Sequence, residues 1–113
     1  ALALDVLKTK YSGKKIPKKI LDGLKRFDDR LFEAWNFLYE KGYAALVPRS
    51  VSNNIENLQV KLHMVIGILE KRKEFSGLSL TEKQKIFDEA LKLCEELRNR
   101  VRRLLNVDAL EVQ

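Results

Sequence analysis

Residues 53–75, NNIENLQVKLHMVIGILEKRKEF, carry the strongest periodic signal in the chain. Ile55, Leu58, Leu62, Val65, Ile66 and Leu69 recur at steps of three and four, which on a helix aligns them in one stripe. Met64 and Ile68 widen that stripe, while Glu56, Lys61 and Glu70 keep part of the circumference wet. The pattern predicts a buried helix touching at least two neighbours. Gly67 lies inside it, where glycine costs about 1 kcal/mol relative to alanine, so close approach of another backbone is the expected reason for it.

The flanking segments supply the neighbours. Ser50, Ser52 or Asn53 opens this helix, Asn53 followed by Glu56 having capping-box spacing, and Gly77 places its end near Phe75. Upstream, Ile20, Leu24, Phe27, Leu31, Ala34 or Trp35, and Leu38 form a stripe that opens at Pro17 and closes at Lys41, just before Gly42. Downstream, Thr81 and Gln84 repeat the capping-box spacing ahead of Ile86 or Phe87, Ala90, Leu93 or Cys94, Leu97, Val101 and Leu104. The expected fold is all-α: an up-down antiparallel bundle of three long helices, about 17–41, 53–75 and 81–106. A short helix or arm from Ala1 to Tyr11 completes it, and the apolar connector Tyr43 to Ser52 is expected to fold back over one end. Apolar flanks beyond a two-position seam disfavour a long coiled coil.

A chain of 113 residues with 45% hydrophobic content suffices for one core, so a single domain at 1–113 is expected, and its first residue, Ala1, suggests a piece of a longer protein. The lone Cys94 has no internal partner for a disulfide, which favours an intracellular setting, cytoplasmic or nuclear. No run of eighteen apolar residues occurs, so no transmembrane segment is expected.

Little in the chain points to catalysis. His63 is the only histidine and Cys94 the only cysteine, too few for a structural zinc site, and neither a glycine-rich phosphate loop nor a GxSxG elbow occurs. Cys94 reads as a small buried hydrophobe and His63 as a partly exposed side chain. Asp28, Asp29 and Glu33 stand among Arg26 and Arg30, a pattern read as surface ion pairing. Neither enzymatic activity, nor a cofactor, a metal or a small-molecule substrate is expected.

Two features point to partners. Phe32, Trp35, Phe37 and Tyr39 crowd one helix on more than one face, more than a three-helix core can cover, and aromatic anchors of this kind serve protein interfaces. The leading expectation is a non-catalytic helical interaction or scaffold module that docks a partner protein, or a second copy of itself, through these four residues and the groove beside the helix at 53–75. The net charge of +6 supports an alternative, a basic domain that contacts nucleic-acid phosphates through Lys14, Lys15, Lys18, Lys19 and Lys71. The bundle topology places those lysines at one end and Arg98, Arg100, Arg102 and Arg103 at the other, which argues against one continuous groove.

Overall fold

A computed structural model describes residues 17–105, so the expected N-terminal helix or arm lies outside the described residues. Three α-helices follow one another: α1 (Lys18–Glu40), α2 (Arg49–Leu69) and α3 (Leu80–Leu105). Short 3-10 turns at Tyr43–Leu46 and Lys73–Phe75 join them, and no strand occurs among the described residues. The expected helical bundle is what the chain forms.

The middle helix is the spine. Both α1 and α3 pack on α2, the α3 contact being the larger, whereas α1 and α3 make no close backbone approach to each other among the described residues. The core collects Leu24 of α1, Leu58, Leu62, Val65, Ile66 and Ile68 of α2, and Ile86, Phe87, Ala90, Leu91 and Cys94 of α3. Phe87, Leu24, Leu58, Leu62 and Val65 are fully buried, each worth about 1.5–3 kcal/mol relative to exposure. Of the expected α2 stripe, only Leu69 is less than buried.

Three helix ends differ from expectation, each for a local reason. Helix α2 begins four residues early because Pro48, with φ of −55°, takes the N-cap place and its carbonyl accepts from Val51 N–H (2.9 Å) and Ser52 N–H (3.1 Å). The Asn53 and Glu56 pair falls inside the helix and caps nothing. At its C-terminus α2 stops at Leu69, not Phe75, because Lys71 turns left-handed (φ 56°). Arg72 N–H then donates to Gly67 O (3.0 Å) and Lys71 N–H to Ile68 O (3.1 Å), the paired bonds of a Schellman ending without its usual glycine. Helix α3 is capped by Ser79, whose Oγ accepts from Glu82 N–H at 3.2 Å, two residues upstream of the expected Thr81 and Gln84 pair. The end of α1 is as expected, with Gly42 left-handed at φ 75°.

Gly67 answers to a side chain and not to a neighbouring backbone. A Cβ at this position would lie 3.0 Å from Phe75 Cδ2 and 3.2 Å from Cζ, and nearer still to Cε2. The missing methyl is the space into which the Phe75 ring folds after the 3-10 turn.

Candidate docking surface

Burial fades along α1 toward its C-terminus. Leu24 is buried and Phe27 and Leu31 half-buried, but Ala34 is exposed; along α3, Leu97 is half-buried and Val101 exposed. Among the described residues, the backbone of α1 comes close only to α2 and the connector. Eight large apolar or aromatic side chains stand exposed among the described residues, and five lie between positions 32 and 46. They are Phe32 (57%), Phe37 (54%), Tyr39 (70%), Tyr43 (51%) and Leu46 (79%).

The four aromatics expected to act together divide into two groups. Phe32, Trp35 and Tyr39, at steps of three and four, share one helix face. Trp35 is half-buried, and its ring meets Tyr39 edge-on at 6.5 Å with 63° between the planes. Phe37 lies on the opposite face under Lys41, whose Nζ stands 5.9 Å from the ring centroid. Tyr43 and Leu46 are additions that sequence reasoning missed. The connector packs on α1 as a 3-10 turn, half-burying Ala44 and Val47, yet it leaves these two side chains outward instead of closing the end.

Beside the connector lies an open cleft of about 600 Å³. One wall is the start of α2, Pro48, Ser50 and Val51; the other is Glu96, Asn99, Arg100 and Arg103 of α3. Helix α2 has no side-chain cap and no acidic residue in its first turn, so its free N–H groups leave positive potential there.

The lysines of the alternative interface occupy the other end. Lys25 Nζ donates to Glu70 Oε2 at 2.8 Å, which ties the first half of α1 to the end of α2 and brings exposed Lys18, Lys19 and Lys71 to the same end. Lys14 and Lys15 lie outside the described residues. The Lys25 hydrogen bond, with a second from Arg72 Nη2 (2.7 Å), holds the Glu70 carboxyl below the usual carboxylate range. On the α2–α3 side, Lys61 does the same to Glu89 across 2.6 Å.

Asp28 does not pair with its neighbouring arginines. Its Oδ2 lies 2.8 Å from His63 Nε2 across the α1–α2 interface, leaving a buried Oδ1 without a hydrogen-bond partner among the described residues. The small cleft there is lined by Lys25, Asp28, Asp29, His63, Ile66 and Arg72, which include no hydroxyl or thiol nucleophile for an aspartate-oriented histidine to activate. Cys94 is buried in the core instead, where burial pushes its thiol above the ordinary range. Among the described residues no group of three or more His, Cys, Asp or Glu side chains is placed to hold a metal, and no helix is long and apolar enough to cross a membrane.

Compared with protein-family models, curated proteins and solved structures, the chain matches none.

Proposed function

We propose that this chain is a non-catalytic helical interaction module that docks a partner protein through the outward side chains of late α1 and the connector. The observation that carries this reading is the crowding of Phe32, Phe37, Tyr39, Tyr43 and Leu46, five of the eight exposed large hydrophobics among the described residues, into fifteen consecutive positions. Scattered exposed apolar residues are ordinary on a protein surface, whereas a local cluster of aromatics held on a helix and a short turn has the make-up of an interface anchor. Affinity capture with the wild-type chain and with a Phe37→Ser/Tyr43→Ser variant tests it, folding being checked by circular dichroism. A partner held by the first, lost by the second, and binding as a purified pair with a negative heat-capacity change supports the reading. Equal capture by both refutes it.

A second reading, phosphate contact with nucleic acid, has the shared end of Lys18, Lys19 and Lys71 in its favour, two of them on the uncompensated first turn of α1. Salt separates the two readings. Phosphate binding weakens in proportion to the counterions released, and an aromatic-anchored contact changes little.

A further inference from the structure

Stretches 41–51 and 98–103 hold Lys41, Arg49, Arg98, Arg100, Arg102 and Arg103 and no acidic residue. Within these two stretches the six positive charges meet no acidic neighbour, as is also true of the six lysines between positions 8 and 19. The fold brings the two stretches together, because the cleft beside the connector has Pro48, Ser50 and Val51 on one wall and Arg100 and Arg103 on the other. Arg100 is half-buried and Arg103 exposed, and neither has an ion-pair partner among the described residues, Glu96 in the same cleft included. Two guanidiniums without an ion-pair partner among the described residues thus line a cavity whose other wall, Pro48 to Val51, lies a few residues along the chain from exposed Tyr43 and Leu46. An occupant that satisfies this surface must offer carboxylates to the cleft and apolar side chains to the connector.

Building on the docking reading, we infer that the partner presents an acidic amphipathic segment whose carboxylates enter the cleft between the start of α2 and Arg100 and Arg103, while its apolar residues cover Tyr43 and Leu46. The adjoining aromatics favour a peptide over nucleic acid or an anionic membrane. A phosphate backbone offers nothing apolar to Leu46, and a lipid surface needs a broad apolar face, whereas these apolar side chains are followed along the chain by an open cleft of mixed polar and apolar lining.

The test titrates the whole chain into a fluorescein-labelled peptide of about 14 residues, with leucine at i, i+3, i+4 and i+7 and glutamate between. Anisotropy reads the binding. The same peptide with glutamine for glutamate, a single-stranded oligothymidine and phosphatidylserine vesicles serve as comparisons. The inference expects the glutamate peptide to bind more tightly than all three, and Arg100→Gln/Arg103→Gln to weaken it by roughly tenfold or more. Unchanged affinity in that variant, equal binding of the glutamine peptide, tighter binding of the oligonucleotide or vesicles, or no binding of the acidic peptide overturns it. Tyr43→Ser/Leu46→Ser keeps the two proposals apart. If it weakens the peptide and the arginine variant does not, the docking reading stands and the acidic partner falls; the reverse pattern overturns the docking reading. Thermal melts of both variants confirm that folding is intact.

Discussion

Replacing Gly67 by alanine sets two opposed effects against each other. In a helix interior alanine gains about 1 kcal/mol over glycine, so with free space the substitution would stabilise. Here the new methyl would crowd Phe75 Cδ2 at 3.0 Å and Cζ at 3.2 Å and meet Cε2 closer than carbon atoms tolerate. The ring must shift, and it is half-buried against the core at the end of a turn pinned by the left-handed Lys71. Overpacking of this kind costs about 1–3 kcal/mol. The net expectation is a destabilisation of about 1 kcal/mol, a fall in melting temperature of about 4–8 °C for a domain of this size. Shortening Phe75 to alanine removes the obstacle, so in that background Gly67→Ala should stabilise by about 1 kcal/mol. Urea unfolding of the wild type, both single variants and the double variant gives the coupling directly, expected at about 1–3 kcal/mol. A Gly67→Ala protein more stable than the wild type would refute the argument that the Phe75 ring is the reason for the glycine.

Other outcomes follow from the same geometry. Lys71→Gly should stabilise by about 0.5–1 kcal/mol in urea unfolding, because a left-handed lysine carries strain that glycine does not. The Glu70 carboxyl is held below its ordinary value near 4.5, so its contribution is present above that pH and lost as pH falls through the lower folded value. Melting temperature should therefore drop on acidification below about pH 4.5, and less steeply in Glu70→Gln. Phe87→Ala, at the centre of the core, should cost about 3–5 kcal/mol, whereas Phe32→Ser on the open face should stay within about 0.5 kcal/mol. The Cys94 thiol should react with a disulfide reagent only when the chain unfolds, since it is buried and burial disfavours its thiolate.

Features written in the chain as a period were legible from it. The stripe Ile55, Leu58, Leu62, Val65 and Ile66 is buried as its spacing implies, and Gly42 takes the left-handed turn expected of a glycine after a helix. Features decided by competition between local signals were not. Pro48 overrode the capping box at Asn53 and Glu56, Ser79 preceded the one at Thr81 and Gln84, and Lys71 ended α2 with no glycine to announce it. The surface was legible only in part. Crowded aromatics on α1 foretold poor cover, but the outward placement of Tyr43 and Leu46 and the pairing of Asp28 with His63 depend on how helices meet, which no single segment encodes.

An architecture in which, among the described residues, the backbones of α1 and α3 each come close to α2 and not to one another divides its cohesion unequally. The α2 and α3 hairpin holds ten of the eleven core residues, and α1 supplies only Leu24 to that set. Helix α1 is therefore the leaf expected to open first: its amides should exchange with solvent through local excursions that leave the hairpin closed. Because Phe32, Trp35 and Tyr39 ride on that leaf, anything gripping them damps its breathing, so occupancy at one end of the molecule would be felt as slower exchange along the whole of α1.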